Sequence, residues 1–144
     1  MIYLGIDYGD VRIGLAKSDE DGRVATPYKT IVLAKDTKTK EILFQIATVI
    51  NTSSDQNATV EHIVVGLPLT LSGDDSLTTL KARRFTKELK EQVDIPVTMY
   101  DERYSSKSAS AALRATGANS RKMRGRVDEI AAAIMLQSFL DGRR

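Results

Sequence analysis

The sequence predicts an α/β protein in which a mixed five-stranded sheet is flanked by helices. Three strand patterns follow one another near residue 1 with only short turns between them, which is typical of antiparallel strands. Two further short apolar runs alternate with helical patterns, which is typical of parallel strands. With 144 residues, 42% of them hydrophobic, the chain is long enough to bury one core. The predicted order is βββαβαβαα, in one domain spanning residues 1–144.

The first three strands are predicted from alternating hydrophobicity. In the first, Ile2, Leu4 and Ile6 alternate with smaller or more polar positions, as in a strand with one buried face, and the run ends at Asp7. The second strand is predicted over residues 11–16 and the third over residues 25–33. An Asp-Gly pair at residues 21–22 is a favoured turn between them.

The second half of the chain alternates helical and strand patterns. Residues 37–50, 76–93, 105–115 and 127–140 carry apolar or alanine-rich positions at helical spacing. Short apolar runs at 62–66 and 96–100 predict the two remaining strands, and the first of these is apolar enough to be covered on both faces. The polar stretch at 51–59 is predicted as a loop.

Composition excludes several classes of function. The chain has no cysteine and one histidine, so disulfides, thiolate zinc sites and cysteine nucleophiles are ruled out. No apolar run reaches the roughly 20 residues of a membrane helix, and the sequence enters a strand at once, without a signal-peptide pattern. We therefore expect a cytoplasmic protein. The net charge is only +2, so any nucleic-acid contact depends on local clusters of charge.

Carboxylates recur at positions that such a sheet would bring together. Asp7 ends the first strand, Asp101 and Glu102 follow the last strand, and Asp128 begins the final helix. Functional sites in such sheets collect at the carboxyl ends of strands. Each acid taken alone also has an ordinary interpretation, as a turn residue, a surface ion pair or a helix N-terminal carboxylate.

A cluster of these acids would need a proton or a cation. Two like charges 4 Å apart repel by about 4 kcal/mol at an effective dielectric constant near 20. Carboxylate oxygens suit Mg²⁺ or Mn²⁺, and two such ions can assist both the attacking water and the leaving oxygen of a phosphodiester. This chemistry requires neither cysteine nor histidine.

Basic residues near the acids predict phosphate contacts. Four cations, Arg121, Lys122, Arg124 and Arg126, lie within six residues just before Asp128. Together with Arg12 and Arg103 they are candidates to bind phosphates on either side of a scissile bond. The alternative is a solvated basic loop. Aromatic residues are few and are not interleaved with the cations, so recognition by backbone and shape is favoured over base stacking.

Four ordered motifs resemble the YqgF family, also called RuvX, a branch of the ribonuclease H-like superfamily related to the RuvC resolvases. The resemblance runs nearly end to end. The motifs are Gly5-Ile6-Asp7-Tyr8-Gly9 followed by Arg12-Ile13-Gly14-Leu15-Ala16, then Val65-Gly66-Leu67-Pro68-Leu69, then Asp101-Glu102-Arg103, then Asp128 with Ala131-Ala132.

The resemblance implies a ribonuclease H-like fold and a nuclease linked to maturation of the 5′ end of pre-16S ribosomal RNA, or to Holliday-junction resolution. By position it makes Asp7, Glu102 and Asp128 the catalytic, metal-binding acids. Glu102 is favoured over Asp101 because consecutive strand residues face opposite sides. One departure is that RuvC-like enzymes have a Glu at the end of the fourth strand, where this chain has Gly66-Leu67-Pro68.

Several functions remain open on the sequence alone. The first is a Mg²⁺- or Mn²⁺-dependent phosphodiesterase acting on structured RNA, with branched DNA as the alternative substrate and a monomer or weak homodimer as the expected state. The second is nucleotide binding, because a hairpin after Asp7-Tyr8-Gly9 resembles the phosphate loop of actin-like ATPases, although those proteins need two such domains. The third is a non-catalytic binder of rRNA precursors that uses residues 121–126.

Overall fold

The five predicted strands are all present and form one sheet. The computed structural model describes residues 1–53, 59–104 and 126–143. The strands are β1 (Ile2–Tyr8), β2 (Arg12–Ser18), β3 (Ala25–Val32), β4 (Val60–Leu67) and β5 (Val97–Asp101). Their spatial order is β3-β2-β1-β4-β5, with antiparallel pairing within the first three strands and parallel pairing of β4 with β1 and with β5. The mixed sheet predicted from the sequence is confirmed.

Three helices flank this sheet in the described part of the chain. They are α1 (Thr39–Ser53), α2 (Leu77–Gln92) and α3 (Val127–Asp141), and a short 3-10 turn (Glu102–Tyr104) follows β5. None of these helices is long and apolar enough to cross a membrane. The helix predicted at 105–115 lies outside the described residues.

Side chains of β1 separate the core into two layers. Leu4 and Ile6 belong to the layer that also contains apolar residues of α1 and α2. Tyr3 belongs to the layer formed with Leu136 and Phe139 of α3. Because successive strand residues point to opposite faces, Asp7 shares the face of Tyr3 and therefore lies on the α3 side.

The beginning of α2 is fixed by side-chain caps. The hydroxyl of Ser76 accepts a hydrogen bond from the backbone N–H of Thr79, and the Thr79 hydroxyl accepts one from the N–H of Ser76. Leu77 and Leu80 are apolar positions of the helical pattern, but both are exposed. The buried stripe consists of Thr79, Ala82, Phe85, Thr86 and Leu89.

Two glycines allow α3 to approach the sheet closely. A Cβ atom at Gly14 would lie 1.9 Å from the backbone oxygen of Asp128, and one at Gly5 would lie 2.9 Å from Cβ of Leu136. No other residue type fits at position 14 unless the helix moves. The first turn of α3 is therefore held directly over β2, beside the end of β1.

Candidate active site

Asp7 lies in the middle of the sheet near the carboxyl end of β1. Its neighbours across the sheet are Gly14 on β2 and Gly66 on β4, so neither adjacent strand places a side chain beside it. The strand continues one residue beyond the predicted end, because Tyr8 still pairs with Ile13 of β2. The ring of Tyr8 stacks on Phe85 with centroids 4.8 Å apart. Asp7 is thus a strand residue with free space on its α3 side.

Glu102 reaches this space from the end of β5. Asp101 pairs with Leu67 as the last residue of that strand, and the 3-10 turn then directs Glu102 back over the sheet. The Glu102 side chain is hydrogen-bonded to Asp7. A Cβ at Gly66 would lie only 2.3 Å from Oε1 of Glu102, so the carboxyl group occupies the space that this glycine leaves.

The two carboxyl groups hold a proton readily. Burial raises the pKa of Glu102 to about 9, with further contributions from its hydrogen bond to Asp7 and from the negative charges of Asp7 and Asp101. Burial also raises the pKa of Asp7, and the nearby charge of Asp128 adds to that effect, while the Glu102 hydrogen bond opposes it. The pair therefore shares a proton at neutral pH in the absence of any cation.

Asp128 lies close to this pair and makes an ion pair of its own. The Nε atom of Arg12 donates a hydrogen bond to Oδ2 of Asp128 at 2.9 Å. In residues 1–53, 59–104 and 126–143, no three His, Asp or Glu side chains are grouped closely enough to hold a metal ion together. Asp7 and Glu102 are thus in contact, and Asp128 contributes its charge from the adjacent helix terminus.

Asp101 and Arg103 face away from the pair and bind each other. Arg103 donates to both carboxylate oxygens of Asp101, with Nη2 to Oδ2 at 2.6 Å, and its backbone N–H donates to Oδ1 at 2.9 Å. Its Nη1 reaches the backbone oxygen of Leu71 at 3.5 Å and lies against Gly73, which has a positive φ of 88°. Arg103, predicted as a phosphate contact, thus connects the end of β5 to the loop after β4.

The remaining predicted cations are only partly described. Arg126 donates from Nε to Oε1 of Glu129 at 2.9 Å, and Glu129 is buried. Arg121, Lys122 and Arg124 lie outside the described residues. Each described arginine among the candidates, including Arg12 and Arg103, therefore has a carboxylate partner near the edge of the sheet.

Two glycines provide the space for Asp128 and Glu102. From the sequence, Gly14 is expected to allow a close backbone approach and Gly66 to shape the loop beside the site, and the structure places them against Asp128 and Glu102. Sequence reasoning missed Glu129, because a second acid in the first turn of a helix usually indicates no more than a favourable interaction with the helix dipole.

The residues present fit a hard divalent cation. Asp7 and Glu102 offer oxygen ligands in a buried place where two anions repel each other, and Asp128 lies close enough to influence the charge of Asp7. Mg²⁺ and Mn²⁺ prefer carboxylate oxygens and are commonly bound by one or two carboxylates with water completing the shell. A cation here would replace the shared proton.

A mixed sheet in the order β3-β2-β1-β4-β5, with acids of β1 and β5 meeting below the start of a carboxyl-terminal helix, defines a ribonuclease H-like protein. Within this class the chain belongs to the RuvX family, described as Holliday junction resolvase, whose profile matches residues 1–142.

Curated relatives and solved structures agree with this assignment. A protein of Corynebacterium jeikeium (strain K411) named "Putative pre-16S rRNA nuclease" is 44% identical over 142 residues, covering 98% of this chain and 86% of that protein. A protein of the same name from Leifsonia xyli subsp. xyli (strain CTCB07) is 41% identical, covering 99% and 87%. T. thermophilus RuvC, solved in complex with a Holliday junction substrate, shares the fold, with a TM-score of 0.56, 19% identity and coverage of 99% and 95%.

Proposed function

We propose that this protein is a divalent-cation-dependent nuclease that hydrolyses phosphodiester bonds during processing of the 5′ end of pre-16S rRNA. The observation that carries the proposal is the buried Asp7–Glu102 carboxyl pair at the carboxyl edge of the sheet. Such a pair is unfavourable for the fold unless a proton or cation lies between its members. The names of the relatives support rRNA processing, and we expect this activity in the cytoplasm.

The proposed roles follow from what each residue contacts. Asp7 and Glu102 would hold Mg²⁺ or Mn²⁺, which when bound supplies an activated water and neutralises charge on the phosphate. Asp128 would join them as a third ligand only if the start of α3 moves closer, because the three acids are not grouped closely enough to share one ion in the described residues. Arg12 orients the Asp128 carboxylate through its hydrogen bond and adds positive charge at the rim of the site. Asp101 and Arg103 fix the turn that presents Glu102.

The direct test measures cleavage of a pre-16S 5′-extension RNA in Mg²⁺ and in Mn²⁺. Asp7→Asn removes a proposed ligand from the middle of the site, and we expect cleavage to fall by at least about a hundredfold. The matched control is Glu91→Gln, which removes an exposed carboxylate on α2. This variant should cleave at the wild-type rate. Full activity of the Asp7→Asn enzyme would overturn the proposal.

Junction DNA is the second candidate substrate. It is favoured by the description of the family and by the shared fold with a RuvC–junction complex. Since the same acids would serve both reactions, the purified enzyme should be given both substrates side by side. Symmetric cleavage of a four-way DNA junction by a dimer, with no action on the RNA, would favour the resolvase over the rRNA nuclease.

A non-catalytic rRNA-binding role predicts a different pattern of variant effects. In that case Asp7→Asn would leave the RNA affinity unchanged and no cleavage would be found in any variant. Arg124→Ala would weaken binding. Nucleotide binding is tested by titrating ATP in a calorimeter, where a nuclease of this kind should show no heat of binding.

A further inference from the structure

A basic cavity lies at the opposite end of the sheet from the acids. Its volume is about 460 Å³, and it is lined by the first residues of β1, the β2–β3 turn and the end of α3. Its charged lining side chains are Arg23, Arg143 and Asp21, two positive and one negative. Neither the catalytic proposal nor the sequence motifs account for this cavity.

Arg143 lies against two aromatic rings on one side of the cavity. Its guanidinium carbon lies 5.5 Å from the ring centroid of Tyr3 and 5.4 Å from that of Phe139. A cation–π contact attracts the guanidinium to the rings without forming a hydrogen bond from its N–H groups to an acceptor. The contact therefore restricts the position of Arg143 and leaves N–H groups that can donate to a phosphate oxygen.

The main chain of Arg23 is fixed on the opposite wall. Its N–H donates to Oδ1 of Asp19 at 2.8 Å, and its carbonyl accepts from Nε2 of Gln137 at 2.8 Å. Gly22 turns the chain with a φ of 68° and packs closely on Tyr3, so the turn cannot shift inward. The two arginines thus approach one cavity from rigid supports, an arrangement suited to an oxyanion.

The distance from the acids suits a long substrate. Arg143 follows Asp128 by fifteen residues, which corresponds to about 22 Å along a helix. A duplex strand carries one phosphate per roughly 3.4 Å, so about six or seven phosphates would span the gap. Tyr3 and Phe139 are themselves buried, so their rings are closed to base stacking and the cavity is suited to phosphate alone.

We propose that the cavity lined by Arg23 and Arg143 is a second contact for the phosphate backbone of the nucleic-acid substrate, remote from the cleavage site. This inference rests on the proposed nuclease function. It adds that recognition requires a structured substrate reaching from the acids to the far end of α3. Asp21 weakens the contact by repulsion.

The test is the salt dependence of binding to an RNA stem-loop of about 12 base pairs, measured by fluorescence anisotropy. Arg143→Gln and Arg23→Gln should each lower the slope of log K against log salt by about 0.7 to 0.9, as expected for one lost phosphate contact. Arg143→Lys should retain most of the slope, and Asp21→Asn should bind more tightly than wild type. Arg84→Gln, an exposed arginine on α2, is the matched control and should leave the slope unchanged.

Equal slopes for Arg143→Gln, Arg23→Gln and the Arg84→Gln control would overturn the inference. Stabilisation of the protein by free inorganic phosphate, with no change in those slopes, would also overturn it. The cavity would then bind a small anion and not the substrate backbone. Because binding is measured independently of cleavage, the inference about the cavity can fail while the proposed function stands. The nuclease proposal is judged separately, by whether the wild-type protein cleaves the RNA and Asp7→Asn does not.

Discussion

At the scale of single residues, the site consists of two carboxyl groups and the glycines that make room for them. Asp7 has glycine on both neighbouring strands, and Glu102 fills the space over one of them. Burying two acids in contact works against folding, so their presence indicates a function that outweighs the cost. The glycines are therefore as important to the site as the acids.

Gly66→Ala should reduce activity with little effect on folding. The new Cβ would overlap Oε1 of Glu102, a flexible carboxyl group that can rotate away at little energetic cost. Displacement of a catalytic group by about 1 Å can cost about a hundredfold in rate, whereas we expect the free energy of unfolding to change by less than about 1 kcal/mol. Cleavage assays and urea unfolding measure the two effects.

The control for this variant is Gly142→Ala, because a Cβ there meets only ordinary contacts near the end of α3. Its activity and stability should match wild type. If Gly66→Ala cleaves at the wild-type rate, Glu102 does not act from the position seen over Gly66.

Arg103→Lys tests whether Arg103 positions the turn that carries Glu102. Lysine keeps the charge but loses the paired hydrogen bonds to Asp101, so the turn that carries Glu102 should loosen. We expect weaker Mn²⁺ binding by calorimetry and roughly tenfold slower cleavage, with an unchanged salt slope for RNA binding.

Arg83→Lys is the matched control for Arg103→Lys, because Arg83 makes a similar two-bond pair with Asp75 on the same edge of the sheet. That variant should leave Mn²⁺ affinity unchanged. Unchanged Mn²⁺ affinity and an unchanged cleavage rate in Arg103→Lys would contradict the positioning role of Arg103.

At the scale of elements, the relation of α3 to the sheet decides where Asp128 lies. The helix runs over β1 and β2, and Gly14 permits contact between β2 and its first turn. The Arg12–Asp128 hydrogen bond joins the same two elements at 2.9 Å. Both contacts connect residues more than a hundred positions apart, so the site assembles only when the helix docks.

Gly14→Ala should destabilise the protein more than Gly66→Ala does. The added Cβ would lie 1.9 Å from the backbone oxygen of Asp128 and 2.3 Å from its carbonyl carbon, and backbone cannot rotate away as a side chain can. Overpacking of this kind typically costs about 1 to 3 kcal/mol. A lower urea midpoint with an unchanged m-value would show this cost, and a stability equal to wild type would contradict the close helix contact.

At the scale of the whole molecule, the buried acids link stability to pH and to cations. The pKa of Glu102 is raised from 4.5 in the unfolded reference to about 9, and that of Asp7 is raised as well. Between these values the folded state binds more protons than the unfolded state, so the slope of the unfolding free energy against pH is negative. The contribution of these two groups to the unfolding free energy should be greatest below about pH 4.5 and should fall as the pH rises toward 9.

Without divalent cations, we expect the unfolding free energy to fall by a few kcal/mol between about pH 5 and pH 9. Mn²⁺ should remove most of this loss, because the cation takes the place of the proton and binds only the folded site. Thermal unfolding at several pH values, with and without Mn²⁺, measures both effects. Glu102→Gln, whose amide can donate to Asp7, should abolish most of the slope, and an unchanged slope in that variant would contradict a shared proton.

Most of the fold was predictable because it depends on local patterns. Alternation in β1, the Asp-Gly turn at residues 21–22 and the apolar run of β4 each reflect strand periodicity or turn chemistry, which operate over a few residues. Leu77 and Leu80 of α2 are apolar but exposed, because helical spacing does not show which positions the fold covers. Exposure of those leucines is a property of the assembled layers.

The choice of Glu102 over Asp101 was predictable in part. Strand alternation placed the two on opposite faces, and their contacts with Asp7 and with Arg103 agree with that expectation. The ion pairs of Arg12 and Arg103 were not predictable, because a charged side chain carries no pattern that identifies its partner. Their assignment as phosphate contacts rested on charge alone.

The sequence by itself determined the order of strands and helices, the family, and the acids to consider, since periodicity, turn residues and ordered motifs are written along the chain. Only the tertiary structure decided which acids share a proton, which arginines are already paired and how closely α3 approaches β2. These depend on distances of a few ångströms between residues remote in the chain, and electrostatic and packing energies change steeply over such distances.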